Sequence, residues 1–485
     1  MAKRSNTSWF WDAYTHWPAE HLSREEREAL RDRARPAGTE NGTGDTVGDM
    51  ASVFIRLKDP ISLGAPSEAV KTLFQTDGLA PFQARFSDQE LAAFDGTNPN
   101  TDPTAGLFVF LNRTALQDRK HRRALEKVAT IVDVGPPVLL GTPLPQTVST
   151  DTAPKTKHGT DTPIVAIIDD GIGFLNRRFT RFAADGVTLK TRFDVFWLQA
   201  MEQAAERDGI KIGTILSSDA INALLAKGDE ARAYQSLGQT VFGPGSRQAI
   251  KQSISHGTHV LDLAAGAEPA SNDPLIKVSL MGVQLPPESI ADTSGSLIET
   301  HSIMGVRWIL SRAADGAVFP NVYINMSLGT VAGTKNGTNF VEYQVAKEIQ
   351  TYNARAASAG SKGRAHVIYA YGNAYQSRLI SRKALSGDQA FSVDWRIQPD
   401  DFTASYLEIM TAEQNQMGPK SGQKADLPRA LDLVLTDPRG TEHKNTVPKP
   451  GEAADIADGC RLYHVPARTL ETRAGDVISV VGASP

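Results

Sequence analysis

From residue 164 onward, short unbroken apolar runs alternate with segments whose apolar positions recur every three to four residues. The runs are IVAII (164–168), LIKVSLMGVQL (275–285), NVYINMSL (321–328) and HVIYAY (366–371). Between them, Ile303, Val306, Ile309, Leu310 and Ala313 share one helical face, and so do Val341, Val345 and Ile349. Apolar strands joined by helices predict an α/β domain over 164–390, a parallel sheet covered by helices on both faces.

The texture differs on either side. Upstream, ASVFIRL and GLFVFLN read as buried strands and LQDRKHRRALEKVA as an exposed helix, which predicts a small α+β unit over 50–140. A polar lead-in, 1–49, precedes it, with capping-box spacing at Ser23 and Glu26. Residues 141–163, GTPLPQTVSTDTAPKTKHGTDTP, are dense in Pro and Thr and predict a linker. After 390 the period falls to two, with Val393, Trp395 and Ile397 and then Leu431, Leu433 and Leu435 alternating. The turn Asp437-Pro438-Arg439-Gly440 follows, so 391–485 reads as a β-sandwich-like segment.

Composition narrows the function classes. With 51 Lys plus Arg against 55 Asp plus Glu, the chain lacks the basic excess of a nucleic-acid binder. No apolar run approaches the ~20 residues that span a bilayer. The first residues hold no apolar stretch of signal-peptide type, so a cytoplasmic location is expected. A single cysteine, Cys460, excludes an intramolecular disulfide framework and a Cys-rich zinc module.

Four segments of the α/β region carry candidate chemistry. IVAIIDDGIG ends a buried strand in Asp169-Asp170-Gly171, placing a carboxylate at the carboxyl end of a parallel strand, where open α/β folds put their sites. Asp-Gly is equally ordinary turn chemistry. A dinucleotide fingerprint is the weaker reading, because the third glycine of GxGxxG is missing. In SHGTHVLDLAAGA, His256 opens a helix at a cleft rim. His259 stands three residues on, but no carboxylate follows at HExxH spacing, so no metal is expected and His259 is left as a packed or capping histidine. NVYINMSLGT ends in Ser327-Leu328-Gly329, which could present main-chain groups to an extended peptide or simply turn the chain. HVIYAYGNAYQ places Gly372-Asn373 after a strand, as a turn or as an amide donor facing a developing oxyanion.

Taken together, these segments resemble the subtilisin-like serine proteases, the subtilases, in the order Asp, HGTHV, NMSLG, GN over roughly residues 160–375. The resemblance implies a subtilisin-like sheet and a serine endopeptidase acting on a peptide or protein substrate, without a cofactor. Structural calcium is not readable from the sequence. By motif, Asp169 orients the imidazole, His256 is the general base and Asn373 is the oxyanion donor. Ser327, Leu328, Gly329, Ala370, Tyr371 and Gly372 line the first specificity pocket.

Two departures accompany the resemblance. Asp169 and His256 stand 87 positions apart, against roughly 30 in subtilisin, so a helical insertion containing SSDAINALLAKGDEARAY is expected between them. The nucleophile motif, GTSMAxP, is absent. Its near-match Gly482-Ala483-Ser484-Pro485 has no following helix to hold a strained turn, so the nucleophile is unknown and Ser484 is a poor candidate. One expectation is a protease whose serine segment lies beyond this sequence. The alternative is a serine-less pseudoprotease that binds peptides. Three further expectations are structural. Asp169 should bond Nδ1 of His256, while Asp170 points away. The 50–140 unit should be an accessory domain and not a propeptide. Residues 141–155 should leave the cleft empty.

Overall fold

A computed structural model describes residues 47–58, 66–95, 106–139, 162–199, 203–204, 209–211, 213–237, 255–286, 289, 298–329 and 340–370, with shorter pieces between 372 and 482. Residues 1–46, nearly all of the lead-in, and residues 140–161, nearly all of the expected linker, lie outside the described residues. The chain forms two compact units: one comprises 34–329 with 341–371, the other 1–33, 330–340 and 372–485.

The first unit begins with β1 (Val47–Leu57), α1 (Pro66–Phe74), α2 (Asp88–Asp95), β2 (Leu107–Asn112), α3 (Arg119–Val128) and β3 (Ala129–Leu139). The three strands form an antiparallel sheet in the order β2-β1-β3. Asp118 caps α3 by accepting from the N–H groups of Lys120 and His121.

Next come β4 (Ile164–Asp169), β5 (Phe193–Leu198), β6 (Thr214–Ser217), α4 (Ser218–Leu225), α5 (Glu230–Ser236), α6 (His256–Ala265), β7 (Ser279–Gln284), α7 (Glu299–Ala313), β8 (Val322–Met326), α8 (Phe340–Ser358) and β9 (Ala365–Tyr369). They build a six-stranded sheet in the order β6-β5-β7-β4-β8-β9, parallel except where β6 runs against β5. This is a mixed α/β architecture with β4 near the middle. Successive side chains of β4 face opposite layers. Ile167 lies in the apolar cluster that contains Leu261 of α6, whereas Ile168 packs against Gly305 of α7. Asp169, two residues beyond Ile167, therefore falls on the α6 side.

Helix α7 is buried on nearly every side, including Thr300, His301, Ser302 and Arg307. The sheet covers one face and the N-terminal elements the other. Ser52 of β1 bonds Thr300 at 3.0 Å. The Arg307 guanidinium meets Glu90 of α2 and Glu348 of α8, each at 2.7 Å, and donates to the carbonyl of Gly106. Burial opposes the charge on Arg307, but the Glu348 and Glu90 carboxylates outweigh it and raise the pKa of the guanidinium. Residues 47–139 are thus joined to the α/β sheet by buried polar contacts as well as by sequence.

The second unit contains β10 (Ser405–Met410), β11 (Asp432–Thr436), β12 (Glu442–Thr446), β13 (Ala453–Ala457), β14 (Cys460–Val465) and β15 (Val477–Gly482). An antiparallel sheet, β10-β15-β14-β13, accompanies a β11-β12 hairpin. Leu433 and Leu435 pack against the small core around Ile456 and Leu462, while Val434 between them is exposed, as the period-two pattern requires. Asp437 accepts from the N–H groups of Arg439 and Thr441, closing the expected turn, and Gly440 takes φ +83°. Residues 391–396 are not a strand, although Val393 and Trp395 alternate. Trp395 packs on the core while Val393, which a strand would place on the same face, is exposed, so the alternation there corresponds neither to strand pairing nor to a shared buried face.

Candidate active site

The carboxyl end of β4 and the amino end of α6 converge. Asp169 is fully buried, and its Oδ1 lies 2.7 Å from Nδ1 of His256, whose side chain is 45% exposed. The same Oδ1 accepts the Asp170 N–H at 2.8 Å. Together the two bonds orient a carboxylate whose burial would otherwise be costly. The hydrogen bond that His256 donates to Asp169 raises the imidazole pKa above its ordinary value and outweighs the opposing effect of burial.

The segment Ser255–Thr258 grips the loop after Asp169. Gly257 N–H donates to the Asp170 carbonyl at 3.0 Å. The Ser255 hydroxyl donates to the Gly171 carbonyl, and Thr258 Oγ1 both donates to that carbonyl and accepts the Gly173 N–H at 2.7 Å. Gly171 turns the loop at φ +56°. A Cβ at position 257 would collide with the Asp170 carbonyl and come within 2.6 Å of Ile172 Cγ1, which explains why glycine follows His256. At the far end of α6, the buried Arg192 donates to the Ala265 carbonyl at 2.7 Å, fastening the helix that carries His256.

Asp170 departs from expectation. Its carboxylate lies within 4.8 Å of the ligand atoms of both Asp169 and His256, and does not point away. Strand alternation no longer applies, because β4 ends at Asp169 and the chain turns through Gly171. Burial, then the neighbouring charge of Asp169, push the Asp170 carboxyl up to about 7. Among the described residues, these three side chains have the spacing of a metal-ligand cluster. The bond between Nδ1 and Oδ1 occupies one donor atom of each side chain and leaves Nε2 of His256 and the unpaired Oδ2 of Asp169.

Among the described residues between the loop after Asp169 and His256, the added sequence extends the fold. β6 lengthens the sheet by one antiparallel strand, and α4 and α5 pack on the α6 side. Tyr234 of α5 accepts the Leu175 N–H at 2.9 Å, bracing the chain beyond the loop.

Ser327, Leu328 and Gly329 follow β8 directly, at the same end of the parallel sheet as Asp169. Ser327 donates to Oδ1 of Asn325 at 2.8 Å, and Gly329 is exposed. Ala370 donates its N–H to Met326, continuing the β8–β9 pairing by one residue. Gly372 has φ +125°. Tyr371, Asn373 and Ser484 lie outside the described residues. His259 is exposed and takes no part in the pair.

The sequence pattern does not reveal the roles of Ser255, Thr258 and Gln284. The available signal is a glutamine closing the apolar run LIKVSLMGVQL at its carboxyl end, where it is fully buried.

No family model matches the sequence, and no curated protein matches it. Among solved structures, the chain is similar to the CspB protease of Clostridium perfringens, with a TM-score of 0.38 and 16% identity over 66% of this chain and 56% of that one. The chain thus spans little more than half the length of that neighbour. Among the described residues, no helix is long and apolar enough to cross a membrane.

Proposed function

We propose that this chain carries the Asp–His part of a subtilisin-like serine endopeptidase, and that its substrates are peptides or proteins. The observation that supports this most is the 2.7 Å bond between buried Asp169 and half-exposed His256. With Nδ1–H donated to Asp169, Nε2 is left to accept a proton from a serine hydroxyl, a poor nucleophile until a base takes that proton. Asp169 then stabilises the imidazolium. In this reading the main chain of Ser327 to Gly329 pairs with the substrate, Ala370 to Gly372 complete the first pocket, and Asn373 donates to the oxyanion. The serine belongs to a segment outside these 485 residues.

Absence of a GTSMAxP motif from the sequence favours a second reading, a peptide-binding pseudoprotease. One experiment separates them. Protein expressed from the whole reading frame is treated with a fluorophosphonate that labels activated serines. Labelling that disappears in His256→Ala and Asp169→Asn supports the protease. Absent labelling, together with saturable binding of peptides, supports the binding module.

A further inference from the structure

We propose that Gln284 is a positioning residue for the Asp169–His256 pair, which rests on reading that pair as the catalytic couple. Gln284 closes β7, directly opposite Asp169 in the parallel register, and is fully buried. Two contacts from this strand end hold the loop that follows Asp169. The Leu285 N–H donates to the main-chain carbonyl of Asp169 at 2.9 Å, fixing where the loop leaves the sheet. The side-chain Oε1 of Gln284 accepts the Ile172 N–H at 3.1 Å, fixing where it returns. Between these anchors lie only Asp170 and Gly171, and Ser255 and Thr258 hold Gly171 from the opposite side. A two-residue span tied at both ends has little room to move. The carboxylate of Asp169 is therefore aimed by the loop's main chain and not by its own rotamer alone.

The chemistry requires an acceptor here. Ile172 is fully buried, so its N–H has no water to turn to. The other residues of β7, Ser279 to Val283, are buried, and an apolar residue at 284 would complete the pattern of the strand at the cost of an unpaired donor in the loop. Relief of that donor would shift the loop, and the first contact to lengthen would be the one between Oδ1 and Nδ1.

Histidine-selective isotope labelling and NMR titration of His256 test this, reading its pKa and the low-field Nδ1–H resonance. Gln284→Met keeps the volume of the side chain and removes the acceptor. It is expected to lower the pKa by at least about half a unit, toward the ordinary ~6.5, and to weaken the Nδ1–H signal. Gln284→Asn, with the acceptor withdrawn by one methylene, is expected to show a smaller shift in the same direction, and serves if the Met variant does not fold. Gln199→Leu is the control. Gln199 is buried beside Gln284, but its side chain donates to the His301 carbonyl and does not touch the loop, so its loss lowers stability and leaves His256 unmoved. An unchanged His256 titration in folded Gln284 variants, or an equal shift in Gln199→Leu, overturns the proposal. Asp169→Asn sets the full loss. If that variant leaves His256 unchanged, the reading of the couple itself fails, whatever Gln284 does.

Discussion

Gly257 donates its N–H to the Asp170 carbonyl at 3.0 Å, and its Cα stands where any side chain would press on the loop that carries Asp169. A Cβ there would meet Ile172 Cγ1 at 2.6 Å and Asp169 Cβ at 3.1 Å, and neither strand end nor helix start can yield easily. Gly257→Ala is expected to fold with reduced stability and a His256 pKa displaced downward. In a complete enzyme, a 1 Å displacement of the couple costs on the order of 100-fold in kcat. A His256 titration identical to wild type would show that the contact does not matter to the pair.

Two groups at the site make stability fall as pH rises. His256 has a raised pKa in the folded chain, so its contribution is complete below the ordinary ~6.5 and is lost as pH passes the folded value. Asp170, pushed up to about 7, retains a proton that the unfolded chain releases near its ordinary value. Between those limits the folded state binds more protons, and the slope with pH is negative. Thermal melts from pH 5 to 8 should show Tm declining by at least about 2 °C, the shift that ~1 kcal/mol produces in large domains. Asp170→Asn should flatten the decline. An equally steep decline in that variant would remove Asp170 from the explanation.

The pair of Asp169 and His256 is legible through the resemblance that IVAIIDDGIG and SHGTHV carry together, because local pattern alone leaves Asp169 open to a cap or turn and His256 open to packing or capping. Alternation along β4 then gives the layer. Asp170 does not follow the alternation of β4, because the strand ends one residue before it. Contacts across long separations were not legible. Gln284 and Ile172 are 112 positions apart, and nothing local to either indicates the other. The apolar face of α7 was readable from Ile303 to Ala313, but its polar face, with Arg307, resembles a solvated surface until the N-terminal elements cover it. Their docking depends on a partner 217 positions upstream, Glu90.

That buried network makes a strong prediction. Removing Arg307 leaves Glu90 facing an apolar interior, where burial already raises its pKa despite the guanidinium. Arg307→Met should cost about 3–5 kcal/mol in urea unfolding. Combining it with Glu90→Gln and Glu348→Gln should recover most of that loss, since no uncompensated charge remains. After proteolytic cleavage within 141–163, residues 47–139 should stay associated with the α/β sheet in wild type and dissociate in Arg307→Met. Release from the cleaved wild-type protein would show instead that the N-terminal elements are an independent accessory domain.

A serine becomes reactive when a base removes its proton and a rigid turn presents its oxygen, and both conditions must hold together. In the proposed reading, Asp169 and His256 supply the first through their 2.7 Å bond. For the second, the sequence offers only the partial match Gly482-Ala483-Ser484-Pro485, with β15 ending at Gly482. The 485-residue chain should therefore hydrolyse peptides negligibly and remain unlabelled by a fluorophosphonate, while His256 still titrates with a raised pKa. An intact couple without labelling would locate the deficit in the nucleophile and not in the base. Robust labelling that is lost in Ser484→Ala would reverse this and make Ser484 the attacking residue, with the couple already in place to activate it.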